Sequence, residues 1–92
     1  MADTIAVRVL TNQGLAVSDE AVSVVAPGEM GYLGILRNHA PLVTTTAPGT
    51  LTWRTPAGAS KSVQIGEGFL EIANNRLTIL TDSVTASSAA HA

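Results

Sequence analysis

Apolar residues alternate with polar or small residues at a period of two along most of the chain. The alternation occurs in segments 5–9, 21–26, 50–54, 63–65 and 77–79. Successive side chains of a β-strand point to opposite faces, so this spacing places one set on a core and the other toward water. The abundance of Thr and Val favours strands as well. The pattern therefore predicts an all-β protein.

Turn-forming residues separate the alternating segments. They are Asn12-Gln13-Gly14, Pro27-Gly28, Pro48-Gly49, Pro56-Ala57-Gly58, Gly66-Glu67-Gly68 and Asn74-Asn75. Because Asn tolerates a positive φ, Asn74-Asn75 predicts a tight hairpin turn between segments 70–73 and 76–81. The Pro56-Ala57-Gly58 sequence predicts a second hairpin between segments 50–55 and 60–65.

Eight or nine short strands fit this spacing and leave no room for a helix of ordinary length. A single flat sheet would leave too many apolar side chains exposed in a chain that is 46% hydrophobic. We therefore predict two antiparallel sheets packed face to face, a β-sandwich or flattened barrel spanning residues 1–84. Its shared core is predicted to contain Trp53, Phe69, Leu77 and Ile79.

Composition limits the classes of function. With 92 residues, one domain is expected. The net charge of -2 and the scattered Lys and Arg residues argue against a nucleic-acid partner. The chain has no cysteine, which excludes disulfides and Cys-based zinc sites. No apolar run approaches the ~20 residues of a spanning helix, so we expect membrane association only through a protein partner. The non-periodic segment 85–92 is predicted to be a flexible tail.

The residues that could carry catalysis are few. Two histidines are too few for a convincing metal site. The interpretation favoured for His39, which lies in Asn38-His39-Ala40-Pro41, is a hydrogen-bonded turn residue. Asp82 and Ser83 could complete a triad with it, but Ser83 lacks the Gly-x-Ser-x-Gly sequence of a nucleophile elbow. We predict no catalytic residue, no metal site and no cofactor.

Two other features suggest ligand chemistry at first sight. Gly28-x-x-Gly31-x-x-Gly34 is rich in glycine, but it lacks the Lys-Ser/Thr of a phosphate-binding loop and opens no amphipathic helix. We interpret these glycines as the residues that let the chain bend between strands. Lys61 follows a predicted turn as the modified lysine of a carrier domain would, but methionine and acidic neighbours are missing. Without further evidence, a binding or interaction module is the default prediction.

One segment carries a family signature. Gly28-Glu29-Met30-Gly31-Tyr32-Leu33-Gly34-Ile35 followed by Asn38-His39-Ala40-Pro41-Leu42 resembles the signature of epsilon subunits of rotary F-type ATP synthases. The resemblance continues through Pro48-Gly49-Thr50-Leu51, Gly66-Glu67-Gly68-Phe69-Leu70-Glu71-Ile72 and Leu77-Thr78-Ile79-Leu80-Thr81-Asp82. It covers residues 4–84 in the family's order and spacing. The C-terminal helical hairpin of typical members, with its inhibitory and ATP-binding roles, has no counterpart in this sequence.

The resemblance implies a non-catalytic central-stalk subunit that couples ion translocation to ATP synthesis. Its implied partners are the gamma subunit and the polar loops of the c-ring, on the cytoplasmic face of the inner membrane, without direct membrane insertion. A loop carrying Glu29, Tyr32, Arg37 and His39 is implied to face the c-ring. The alternative is a carbohydrate- or ligand-binding sandwich, a class that exposes several aromatic side chains. This chain has one Trp, one Tyr and one Phe, which favours the rotor subunit.

Overall fold

The computed structural model describes residues 4–86, and that range contains ten β-strands and no helix. The strands are β1 (Ile5–Thr11), β2 (Gly14–Ala21), β3 (Ser23–Gly28), β4 (Gly31–Leu36), β5 (Leu42–Thr46), β6 (Gly49–Arg54), β7 (Ser60–Ile65), β8 (Gly68–Ala73), β9 (Arg76–Thr81) and β10 (Val84–Ala86). Within the described range there is accordingly no helix that could cross a membrane. The all-β prediction is confirmed, with one or two more strands than expected.

The strands form two layers that join at one corner. The first sheet has the order β10-β7-β6-β3-β4, and the second has the order β5-β8-β9-β1-β2. A single pair, Gly28 with Thr46, connects β3 to β5 and makes the whole a nearly closed, flattened barrel. One pairing departs from the antiparallel prediction, because β1 runs parallel to β9. Hairpin turns specify antiparallel pairing only between strands that are neighbours in sequence, and β1 and β9 are far apart in the chain.

The core lies between the two layers and follows the alternation in sequence. Ile5, Val7 and Val9 of β1 are fully buried and pack with Leu77 and Ile79 of the neighbouring β9. Side chains from both sheets complete the same cluster, including Val24, Ile35, Leu51, Trp53, Leu70 and Ile72. The close packing of such a core makes a two-layer domain stiff.

The prediction that Phe69 lies in the core is wrong. Phe69 is 61% exposed, whereas its neighbour Leu70 is buried. On β8 the inward positions are Leu70 and Ile72, so Phe69 and Glu71 share the outer face. The pattern in this segment, Phe-Leu-Glu-Ile, has apolar residues at adjacent positions, and the sequence therefore left the strand's phase ambiguous.

The predicted hairpin turns are confirmed. Asn74 and Asn75 adopt positive φ angles of 52° and 60° between β8 and β9. Gly58, at φ 92°, lies in the turn between β6 and β7. At the other end of the chain, Thr85 and Ala86 pair with β7, so ordered structure continues two residues into the predicted tail. Residues 87–92 of that predicted tail lie outside the described residues.

Candidate interaction surfaces

Glu29 and Tyr32 lie at one end of the β3–β4 hairpin. Glu29 occupies the two-residue turn, where its backbone N–H donates to the carbonyl of Thr45 at 3.1 Å. The Thr45 hydroxyl donates to the Glu29 carboxylate. Tyr32 is the second residue of β4 and belongs to a strand, whereas the sequence placed it on a loop.

Tyr32 has a structural contact that the sequence did not indicate. Its hydroxyl accepts a hydrogen bond from the backbone N–H of Thr50 at 3.1 Å. The Pro27 carbonyl of β3 accepts a hydrogen bond from the N–H of Ala47 at 3.0 Å. Gly49 leaves room for the phenol, because a Cβ there would lie 2.7 Å from the hydroxyl oxygen. The ring therefore closes the place where β3 and β6 separate.

Arg37 and His39 lie at the opposite end of β4. At ~3.4 Å per residue, the six steps from Gly31 to Arg37 span about 20 Å. Asn38, at φ 65°, donates its backbone N–H to the side-chain oxygen of Asn75 at 2.7 Å. Nδ1 of His39 lies 2.6 Å from its neighbour's carbonyl oxygen. The half-buried His39 is thus hydrogen-bonded, as predicted, but it follows the turn at residues 37–38 and does not lie in it.

The four residues predicted to face the c-ring therefore form two pairs. We call the end with turns 29–30, 47–48, 66–67 and 82–83 the Glu29 end, and the end with segments 37–41, 55–59 and 74–75 the His39 end. Asp82 and Ser83 lie at the Glu29 end. His39 lies at the other end, so the three residues cannot act together as a triad.

The Glu29 end is acidic. Glu29, Glu67 and Asp82 line an open cleft of about 500 Å³ beside Pro48 and Phe69. Among residues 4–86, no group of His, Cys, Asp and Glu side chains is arranged to hold a metal ion. The cleft therefore presents dispersed negative charge to a partner surface.

Two buried hydroxyls hold the turn that carries Glu67. Thr46 Oγ1 donates to the Gly66 carbonyl at 3.2 Å, and Thr81 Oγ1 donates to the Glu67 carbonyl at 3.0 Å. A side chain at Gly66 would collide with the Asp82 carboxylate, since its Cβ would lie 2.1 Å from Oδ1. Glycine at this position thus lets the two acidic turns lie against each other.

An exposed apolar row crosses the outer face of the second sheet. Phe69 is paired with Leu80, Leu80 with Leu10, and Leu10 with Leu15. Residues directly opposite on neighbouring strands share a face, so the four side chains form one row across β8, β9, β1 and β2. Phe69, Leu80 and Leu15 are each more than half exposed, and Val43 of β5 adds an exposed side chain nearby. Sequence reasoning missed this row because it assigned Phe69 to the core; the consecutive apolar residues 9–10 and 79–80 were the available signal.

The sequence of the described domain matches one family almost throughout. The family described as the beta-sandwich domain of the ATP synthase delta/epsilon chain matches residues 4–87. The chain belongs to this family. The resemblance inferred from the segment around His39 is thereby confirmed.

Individual relatives agree with this assignment. The ATP synthase epsilon chain of Acidithiobacillus ferridurans is 48% identical over 84 residues, which cover 90% of this chain and 58% of the relative. That of Desulfosudis oleivorans is 35% identical over 83 residues, covering 90% of this chain and 62% of the relative. The chain thus spans about three-fifths of the length of these relatives.

The fold also matches a chain of a solved structure. A chain of the Euglena gracilis mitochondrial ATP synthase, solved as an OSCP/F1/c-ring assembly, superimposes with a TM-score of 0.85 at 18% identity. The match covers 94% of this chain and 55% of the other. At that identity the likeness shows the shared fold alone.

Proposed function

We propose that this chain is a non-catalytic rotor subunit of an F-type ATP synthase, binding the gamma subunit and the c-ring at once. In that role it couples ion translocation to ATP synthesis from the cytoplasmic face of the membrane. Family membership supports the assembly, and the exposed apolar row of the second sheet is the observation that carries the binding role.

The row has the properties of a docking surface. Soluble proteins that act alone seldom expose a large contiguous apolar patch. With strands about 4.8 Å apart, the row from Phe69 to Leu15 extends about 14 Å. Val43, Phe69 and Leu80 also line a shallow groove of about 280 Å³. We assign this face to the gamma subunit, the partner that the family resemblance implies.

The Glu29 end suits a second partner. The acidic turns lie at the ends of the strands, whereas the apolar row lies on a sheet face, so both surfaces can be covered simultaneously. We assign the c-ring to the Glu29 end, because Glu29, Glu67 and Asp82 can attract basic groups of its polar loops. Tyr32 belongs to the Glu29 end through the β3–β4 hairpin. Arg37 lies about 17 Å from Tyr32, at ~3.4 Å per residue along β4, and His39 follows Arg37 at the opposite end.

The alternative of a carbohydrate-binding module fits the surface less well. Such a module presents several aromatic rings on one face. Here Trp53 is buried, and Tyr32 and Phe69 lie on different sheets. One aromatic ring on each surface favours docking of a protein over stacking of sugars.

Calorimetric titration with purified gamma subunit tests the assignment of the apolar row. Phe69→Lys and Leu80→Lys should each weaken binding at least about tenfold, because truncating a buried interface anchor commonly costs more than 1 kcal/mol. Val25→Lys is the matched control: Val25 is 44% exposed but lies on the first sheet. If all three variants weaken gamma binding equally, or if Phe69→Lys and Leu80→Lys do not weaken it, the gamma subunit binds another surface.

Binding to detergent-solubilised c-ring tests the second surface. Glu29→Lys combined with Glu67→Lys should reduce binding and its sensitivity to salt, since attraction between surface charges is screened by ions. Arg37→Glu alters charge at the opposite end and should leave the c-ring affinity nearly unchanged. The reverse result would assign the c-ring to the His39 end.

A further inference from the structure

Strand β4 has an unprotected edge. Among residues 4–86, β3 is its only pairing partner. Natural proteins usually protect a free edge strand from pairing with another chain by a charged residue, a proline or a β-bulge, or by keeping the strand short. The free edge strand β2 carries Asp19 and Glu20 and a register shift, and β10 has only three residues. The sequence of β4, Gly-Tyr-Leu-Gly-Ile-Leu, has neither charge nor proline, and its pairing with β3 is regular.

The hydrogen bonds around the β3–β4 hairpin define which backbone groups lie on the free edge. Pro27 directs its carbonyl to Ala47, and Glu29 directs its N–H to Thr45, so the residue between them faces β4. That residue, Gly28, pairs with Gly31. Since neighbouring residues of a strand direct their N–H and C=O groups to opposite sides, residues 31, 33 and 35 face β3. Tyr32, Gly34 and Leu36 therefore direct theirs to the free edge.

We propose that the free chain dimerises through this edge, with β4 of one copy antiparallel to β4 of a second copy and the two Gly34 residues on the twofold axis. This inference goes beyond the rotor role. In that register Tyr32 faces Leu36 of the second copy, and Gly34 faces its own counterpart. The free backbone N–H and C=O groups of Tyr32, Gly34 and Leu36 then face those of the paired residues in the second copy. Each of these residue pairs exchanges two N–H···O bonds.

The charges that flank β4 select this arrangement. Glu29 precedes the strand and Arg37 follows it. Antiparallel pairing about Gly34 brings Glu29 of one copy opposite His39 and near Arg37 of the other, whereas parallel pairing would juxtapose like charges. The edge is thus complementary to itself in both backbone pattern and charge, and a second copy is the occupant that satisfies both.

The approach to the edge is open. Tyr32 and Leu36 are 59% and 64% exposed, and a Cβ added at Gly34 would have no atom within 4 Å. A six-residue edge buries much less than the ~1,200 Å² typical of stable complexes, so we expect a weak dimer with a Kd on the order of 100 μM.

Sedimentation equilibrium and amide hydrogen exchange of the chain alone test the dimer. Between about 10 μM and about 1 mM, the dimer fraction should rise from minor to dominant for a Kd near 100 μM. Exchange at the amides of Tyr32, Gly34 and Leu36 should slow over the same range, while the β3-bonded amides of Leu33 and Ile35 stay constant. A monomer at all concentrations would overturn the proposal, whether or not gamma binds.

Variants distinguish this edge from other surfaces. Gly34→Lys should abolish the dimer, because it sets two like charges opposite each other on the axis, and the open space around Gly34 allows the monomer to fold. Gly34→Ala should retain it, and Gln13→Lys is a control for added charge on a distant turn. Dimerisation that survives Gly34→Lys, or that is lost in Phe69→Lys, would contradict the edge pairing.

A charge exchange gives a second, independent test. Glu29→Lys and Arg37→Glu should each weaken the dimer several-fold, and the double variant should recover most of the affinity, because the flanking charges are then merely reversed. If the double variant loses as much dimer affinity as the two single substitutions added together, the antiparallel register is excluded.

Discussion

The indole nitrogen Nε1 of Trp53 donates a hydrogen bond to Oδ2 of Asp19 at 2.8 Å. Lys61 Nζ lies 3.1 Å from the same oxygen. Asp19 belongs to β2, a free edge of the second sheet, and its partners belong to β6 and β7 of the first. This contact joins the two sheets on the side of the barrel opposite the Gly28–Thr46 pair. Lys61 is thereby an ion-pair residue, which accounts for it without a carrier function.

Asp19→Ala should destabilise the domain by about 2 kcal/mol, because it removes a charged acceptor and leaves a buried indole N–H without its partner. Asp19→Asn, which can still accept that hydrogen bond, should cost less. Urea unfolding at neutral pH, followed by Trp fluorescence, measures both changes. Equal stability of Asp19→Ala and the parent would mean that the layers do not depend on this contact.

Acid should weaken the same contact. The hydrogen bonds from Trp53 and from the backbone N–H of Glu20, together with Lys61, lower the pKa of Asp19 below its ordinary value of 3.8. A carboxylate with a lowered folded-state pKa stabilises the fold above its unfolded pKa, and that contribution is lost as pH falls through the folded value. Between pH 7 and pH 3, Asp19→Asn should therefore lose less stability than the parent.

Tyr32→Phe should lower stability by about 1 kcal/mol, because the N–H of Thr50 loses its acceptor. The substitution keeps the aromatic ring and adds no charge. The affinity of the folded variant for the c-ring should therefore change little. Tyr32→Asp, in contrast, should harm both folding and coupling. Thermal melting and proton pumping per ATP hydrolysed separate these effects; unchanged melting of Tyr32→Phe would contradict the structural role.

Two glycines in strands should respond oppositely to alanine. A Cβ at Gly68 would lie 1.9 Å from the backbone oxygen of Leu80, so Gly68→Ala must displace β9 and should lower the melting temperature by about 10 °C or more. Gly34→Ala meets no atom within 4 Å and should be neutral or slightly stabilising. Comparable melting temperatures for the two variants would contradict the close approach of β8 and β9.

Deletions at the C-terminus should have different effects on either side of Ala86. Removing residues 87–92 should leave ATP hydrolysis by the assembled enzyme unchanged, since the sequence there has no apolar stripe with which to pack as an inhibitory helix. Removing residues 85–92 also removes most of β10 and its pairing with β7, and should lower thermal stability. A several-fold rise in hydrolysis after the shorter deletion would identify the segment as inhibitory.

The β-strand character, the hairpin turns and the family could be predicted from local features of the sequence. Period-two alternation constrains each strand locally, and Asn74-Asn75 specifies its own turn through positive φ, so neither depends on distant contacts. The family signature around His39 likewise predicts the β-sandwich domain. Each of these signals is complete within a short segment.

Contacts across the sheet between distant segments could not be predicted in this way and follow from the tertiary structure. It made β1 parallel to β9, aligned Phe69, Leu80, Leu10 and Leu15 into one exposed row, and separated the Glu29 pair from the His39 pair. The physical reason is that pairing partners far apart in sequence depend on how the two layers close around a common core. The alternation of apolar and polar residues shows only that each strand has two different faces. The packing of the core determines which of the two faces points inward.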